Sequence, residues 1–110
     1  MAKICDVIFT GASGTKYTFE VYAADTTFND VSAVYVLTKR TIVNGQGSHT
    51  MLYIGESKKL GRRLSDHEKW SCVNPLGCNC VCILLVADEE TRMAIEQDLR
   101  DGNSTPCNDQ

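Results

Sequence analysis

Val31 to Thr38 is the stretch that most constrains the fold. It reads Val-Ser-Ala-Val-Tyr-Val-Leu-Thr, carries no charge, and is dominated by β-branched, aromatic and aliphatic side chains. Such a composition suits a strand, and an apolar run that does not alternate with polar residues marks a strand buried on both faces. The rest of the chain has to supply cover for both sides of it.

The flanking segments supply candidates. Residues 3 to 10 and 16 to 23 predict a β-hairpin, because Tyr17, Phe19 and Val21 alternate with Thr18, Glu20 and Tyr22 around a Gly11-Ala12-Ser13-Gly14 turn. Asn44-Gly45-Gln46-Gly47-Ser48 predicts an open loop, and Met51 to Gly55 a short strand antiparallel to the first apolar run. Ser57 is a suitable N-cap for a helix reaching to about Lys69, and Trp70 to Gly77 breaks the pattern. Cys78 to Val86 predicts another strand. Asp88 then caps a second helix with Glu89 and Glu90 in its first turn, Gly102 stops it, and Asn103 to Gln110 forms an irregular tail. The expected fold is α+β, a small mainly antiparallel sheet flanked by helices. It forms one domain over 1–110, with residues 1–30 as an amino-terminal hairpin extension and 31–110 as the core.

Of the 110 residues, 43% are hydrophobic and 23% charged, as in an ordinary globular protein. No apolar run approaches the roughly 20 residues that span a bilayer, and Met1 to Asp6 does not read as a signal peptide. A cytoplasmic location is expected. In that setting the six cysteines are thiols or metal ligands. Cys78, Cys80 and Cys82 alternate along one strand face, which suits buried thiols, while a zinc site with His67 or Cys72 is the competing reading. The net charge of −3 argues against a broad basic surface for nucleic acid. A local patch exists nonetheless, since Lys58, Lys59, Arg62 and Arg63 lie together and Lys39-Arg40 ends the preceding strand.

Several residues could carry chemistry. On the first expected helix Leu60 and Leu64 face inward, with Arg63 and His67 bordering that stripe and Lys58 and Arg62 turned to solvent. Arg63 either lays its stem over the core or reaches into a site against the sheet. On the second helix Glu96 falls between Met93 and Leu99 on the inward side. It either pairs with Arg92 or Arg100, four residues away on each side, or serves as an oxygen ligand for a hard cation such as Mg²⁺. Tyr35 and Tyr53 suit packing within strands, and Asn108 suits a turn.

In combination these residues say more. The segments Ala33-Val34-Tyr35, Tyr53-Ile54-Gly55, Lys59-Leu60-Gly61-Arg62-Arg63-Leu64, Ile95-Glu96-Gln97-Asp98-Leu99 and Pro106-Cys107-Asn108 occur in the order found in GIY-YIG nucleases. The chain resembles a small stand-alone bacterial member of that superfamily over residues 31 to 110. Ala33-Val34 replaces the usual Gly-Ile start, and the tyrosines are further apart than in compact members, which enlarges the loop around Gly45 to Thr50 and could turn His49 toward the site.

The resemblance implies an endonuclease hydrolysing phosphodiester bonds with Mg²⁺ or Mn²⁺, leaving a 5′ phosphate and a 3′ hydroxyl. Carried over position by position, it implies Tyr35 and Tyr53 as the motif tyrosines and Arg63 as the phosphate-binding arginine. It makes Glu96 the metal ligand and Asn108 the terminal asparagine, with His67 as an added site histidine and alternative base. Lys58, Lys59 and Arg62 would touch nucleic acid, with DNA the expected partner and a protein partner or homodimer conceivable. A non-catalytic nucleic-acid or protein-binding module on the same scaffold is the alternative.

Overall fold

The computed structural model describes residues 2–108. Its centre is β3, Ala33–Val43, whose residues from Ala33 to Thr38 are all buried. On one side β3 pairs antiparallel with β4, Gln46–Ser57, and on the other with β5, Cys80–Leu85. The amino-terminal hairpin, β1 (Cys5–Thr10) and β2 (Lys16–Ala23), joins the same sheet because β2 pairs with β5. The five strands therefore run in the order β1-β2-β5-β3-β4, every pairing antiparallel. The apolar run at 31–38 ends up central, as its composition requires.

Alternation along β3 feeds two cores. Ala33, Tyr35 and Leu37 point to one face, where they meet Phe28, Leu52, Leu60, Leu64, Val73 and Val81. Val34 and Val36 point to the other, against Phe19, Val21, Ile54, Cys82 and Leu99. The first face is covered by α1 (Leu60–Ser65), α2 (Trp70–Val73) and a 3₁₀ turn at Asn74–Leu76. The second is covered by α3, Glu89–Gly102, capped by the Asp88 carboxylate, which accepts from the Thr91 N–H at 2.9 Å.

The amino-terminal hairpin has a definite role. Its turn grips α3 through Asp98, which accepts from the Ser13 N–H at 2.9 Å, the Ser13 hydroxyl at 2.8 Å and the Tyr17 hydroxyl at 2.7 Å. The carboxyl-terminal half of α3 is thus tied to the β1–β2 hairpin.

Three expectations need correction. The loop expected at 44–48 is a two-residue turn closing a long hairpin: Asn44 has φ 52° and Gly45 φ 77°, the left-handed pair that matches strand twist. The Asn-Gly signal was in the sequence, but the polar residues beyond it masked the continuing strands. The first helix, expected from a Ser57 cap to Lys69, begins only at Leu60 because β4 continues through Ser57, and it stops at Ser65, where the chain leaves helical geometry at Asp66. Gly61 makes this short helix possible; a Cβ there would lie 2.3 Å from the Phe28 carbonyl oxygen. Met93, expected on the inward stripe of α3, is half exposed, and Arg92 takes its place as the buried residue. The final two residues of the expected tail lie outside the described residues.

Cysteine pairing is the fourth correction. Cys72 and Cys107 form a disulfide that ties α2 to the tail across a sequence separation of 35. Cys80 and Cys82 are buried free thiols, and burial pushes the Cys82 thiol up to about 12. Among the described residues no helix is long and apolar enough to cross a membrane. Closing a loop of this length restricts the unfolded chain by roughly 2–4 kcal/mol. A Cys72→Ser, Cys107→Ser double variant should lose about that much in urea unfolding, and reductant should bring wild type down to the variant's midpoint. Equal midpoints with and without reductant would show that the bond contributes nothing.

Candidate active site

The two motif tyrosines lie side by side on the face covered by α1 and α2. Tyr35 on β3 stands opposite Gly55, and Tyr53 on β4 opposite Leu37; the ring centroids are 6.1 Å apart. Gly55 creates the space for them. A Cβ at that position would fall 2.6 Å from the Tyr35 hydroxyl and 2.8 Å from the Tyr53 ring. The glycine after Tyr53-Ile54 is therefore a packing requirement of both phenols.

His67 closes the cluster from above. Its Nε2 lies 2.5 Å from the Tyr35 hydroxyl, and its ring meets those of Tyr35, Tyr53 and Trp70 edge-on at 5.6, 5.0 and 6.2 Å. The Lys69 backbone N–H donates to Nδ1 at 3.0 Å. That bond fixes the tautomer: Nδ1 keeps its lone pair, so in the neutral ring Nε2 carries the hydrogen and donates to Tyr35. Burial, reinforced by the Arg63 charge, lowers the His67 pKa from 6.5 to about 4, so the ring is neutral at physiological pH. His67 reaches this position from the turn after α1 rather than from the helix face expected for it.

Arg63 sits on α1 facing the same phenols. The Tyr35 hydroxyl is almost fully buried. Burial raises its pKa above the ordinary value of 10, Tyr53 adds to the effect, and the Arg63 charge opposes it. The Arg63 side chain is about one-third exposed, and its one ion-pair contact among the described residues, to Glu68 at 3.5 Å, involves a side chain that is 73% exposed. Such a surface pair holds the arginine weakly. Beside it runs a shallow groove lined by Ser57, Lys58, Lys59, Arg62, Arg63 and Asp66. Lys58 and Lys59 are exposed. Arg62 is exposed too, yet it is drawn to Asp30, Nε to Oδ2 at 3.3 Å, while its backbone N–H donates to Oδ1 of the same carboxylate.

Glu96 and Asn108 are placed differently. Glu96 projects from α3, which packs on the opposite face of the sheet, and no hydrogen bond or ion pair among the described residues joins it to Tyr35, Tyr53 or Arg63. It is half-buried. Burial raises its pKa, with Arg100 opposing the shift and Glu56 adding to it. Neither ion pair open to Glu96, with Arg92 or with Arg100, is present among the described residues. Arg92 is buried and binds Glu56, Nε to Oε1 at 2.7 Å, while its Nη1 donates to the carbonyls of Val86 and Ala87. Asn108 brackets Ile54, accepting from its N–H at 2.8 Å and donating to its carbonyl at 2.9 Å. Its side chain therefore holds the β4 edge beside Tyr53 in place.

Trp70 and Glu56 were not singled out in the sequence, and Arg92 was considered there only as a partner for Glu96. Trp70 donates to the Leu64 carbonyl at 2.7 Å, locking the turn that presents His67. Strand alternation places Glu56 on the α3 face, a legible signal; nothing in the sequence pattern marks Arg92 as its partner. His49 points away from the cluster, bonding Thr38 at 2.9 Å and packing on Phe9 on the other face. Among the described residues no three His, Cys, Asp or Glu side chains come together as a group that could hold a metal ion. Compared with known proteins, the chain matches no family model, no curated protein and no solved structure.

The His67 environment has a measurable consequence. The unfolded chain takes up a proton at this residue below about 6.5, whereas the native protein resists it until about 4. Stability present at neutral pH is therefore lost as pH falls through that window. His49, lowered in the same direction by burial, contributes part of the slope. His67→Gln should show a shallower loss of melting temperature between neutral pH and about 4 than wild type. An unchanged slope would mean that His67 titrates normally in the native state.

Proposed function

We propose that the chain is a metal-dependent endonuclease of the GIY-YIG type that hydrolyses phosphodiester bonds, with DNA as its substrate. The observation that carries this reading is the convergence of Tyr35, Tyr53, Arg63 and His67 on one sheet face beside an exposed basic rim. Four residues scattered over 33 positions meet there, in the order that the motif resemblance requires.

The chemistry follows from the placement of each group. Arg63, loosely held and partly exposed, would grip the non-bridging oxygens of the scissile phosphate, and its planar fork strengthens that grip as negative charge builds. Tyr53, the less buried phenol, would orient the attacking water. Tyr35 is too deep to touch substrate and would act as a positioning residue through His67 and the Tyr53 ring. Both ring nitrogens of His67 are engaged, which argues against a role as base and for a role as donor to Tyr35. Lys58 and Lys59 would meet flanking phosphates.

The residues fit a divalent cation at one point. Glu96 is a half-buried carboxylate with no ion-pair partner among the described residues, and Mg²⁺ or Mn²⁺ binds through one or two carboxylates while keeping several waters. When bound there, the cation would supply a Lewis acid on the α3 side of the sheet. Glu56 nearby is already engaged by Arg92.

A specific observation favours the second reading, a non-catalytic nucleic-acid or protein-binding module. Glu96 makes no direct contact with the phenols, and the Asn108 amide is already bonded to Ile54 on both sides. One assay separates the two. Purified protein with Mg²⁺ should nick supercoiled plasmid, Arg63→Ala should slow nicking by about 10²–10³-fold, and Glu96→Gln should abolish it. Nicking at equal rates by wild type and both variants, or salt-sensitive binding without nicking, would reject the nuclease reading.

A further inference from the structure

Beyond Arg40 the β3–β4 hairpin leaves the body of the protein. β5 pairs with β3 only as far as Thr38, and Asn79 makes the last ties, accepting from the Arg40 N–H at 2.7 Å and donating to its carbonyl at 3.0 Å. From Thr41 to Ser48 every residue is exposed, and β3 and β4 pair only with each other. The tip carries two unusually bare aliphatic side chains, Ile42 at 62% and Val43 at 61% exposure. A two-residue left-handed turn closes it. This is a two-stranded ribbon that no other described residue covers.

Its chemistry is specific. In a chain of net charge −3 there is no Asp or Glu between Asp30 and Glu56, so the ribbon and both strands leading to it are free of negative charge. Lys39 and Arg40 stand at its base. Strand alternation carries the Tyr35 face outward through Lys39, Thr41 and Val43, paired with Thr50, Ser48 and Gln46 on β4. The face that holds the phenols thus continues into a row of hydroxyls, an amide and an ammonium. Arg63 and the Lys58-Lys59 rim extend the same positive side.

We infer that the Thr41–Ser48 ribbon is a groove-inserting arm that holds double-helical DNA across the Tyr35–Tyr53 face. The inference rests on the nucleic-acid reading of that face and adds the substrate form. Dimensions agree: two strands about 4.8 Å apart with their side chains fit a major groove roughly 12 Å wide, and the ribbon projects about 10 Å at 3.3 Å per residue. Hydroxyl and amide side chains meet phosphates and base edges, and exposed aliphatic residues contact thymine methyls or wedge between base steps. The deep, narrow groove of A-form RNA excludes such a ribbon.

The test removes Thr41–Val43 and Gln46–Ser48, so that Asn44-Gly45 joins Arg40 directly to His49 in register. A second variant, Thr41→Glu with Ser48→Glu, leaves the backbone intact and places two carboxylates on the DNA-facing side. Melting temperature verifies folding. Affinity is read by anisotropy on a labelled duplex of about three helical turns (~30 base pairs), on the same sequence as RNA duplex, and alongside hydrolysis of bis(p-nitrophenyl) phosphate with Mn²⁺. Both variants should weaken DNA duplex binding roughly tenfold or more while leaving RNA duplex binding and small-ester hydrolysis unchanged. Undiminished DNA affinity in the charge variant would overturn the arm, as would an equal loss on RNA or a dimer lost with DNA affinity intact. Absence of hydrolysis in wild type would count against the nuclease reading alone, because the binding comparison is made without cleavage.

Discussion

The hydrogen bond between the Tyr35 hydroxyl and the His67 imidazole joins the buried centre of the sheet to the chain that leaves α1. A closed circuit of contacts is built on it. Lys69 fixes the imidazole tautomer, Trp70 locks the turn from the far side, and Cys72 in α2 is bonded to Cys107 in the tail. One residue later Asn108 brackets Ile54, which holds Tyr53 and Gly55 on either side of it along β4, and Gly55 leaves room for the Tyr35 ring where the circuit began. Each contact is local, but together they fix two phenols whose positions no single strand could specify. A polar cluster this enclosed must be nearly fully satisfied, and the engagement of both His67 nitrogens meets that condition.

Charge is unevenly distributed across the sheet. The α3 side holds the buried Arg92–Glu56 pair and the half-buried Glu96, with burial disfavouring the ionised form of the latter. The α1 side and the projecting hairpin hold Lys39, Arg40, Lys58, Lys59, Arg62 and Arg63. An acidic protein can thereby present a basic edge, which bulk charge alone would have argued against. Breaking the Arg92–Glu56 pair from one side would strand a buried charge, so the pair also pins the end of β4 against α3.

Much of this was legible in the residues, for identifiable reasons. The central, doubly buried strand follows from the uncharged run at 31–38, and the second helix follows from Asp88 and its acidic first turn. The pairing of Tyr35 with Tyr53 on one face is a matter of strand alternation once the two strands pair. What could not be read depended on tertiary contact. The first helix is short because β4 keeps extended geometry to Ser57 and Gly61 lies against the Phe28 carbonyl, which no periodicity encodes. Arg92 is inside because Glu56 meets it there, overriding the solvent preference of a guanidinium. The Cys72–Cys107 bond depends on the tail folding back along β4, where the Cys107 N–H donates to the Leu52 carbonyl at 3.0 Å. Asn108, the terminal asparagine that the resemblance implies, pairs with Ile54 as one more strand residue would.

A crystal structure of the protein with a short DNA duplex and Ca²⁺, which binds oxygen ligands without supporting turnover, tests the central claim most directly. The account places one backbone phosphate within hydrogen-bond distance of the Arg63 guanidinium and the Tyr53 hydroxyl. DNA bound elsewhere, with the phenol–guanidinium face unchanged and solvent-filled, would contradict it.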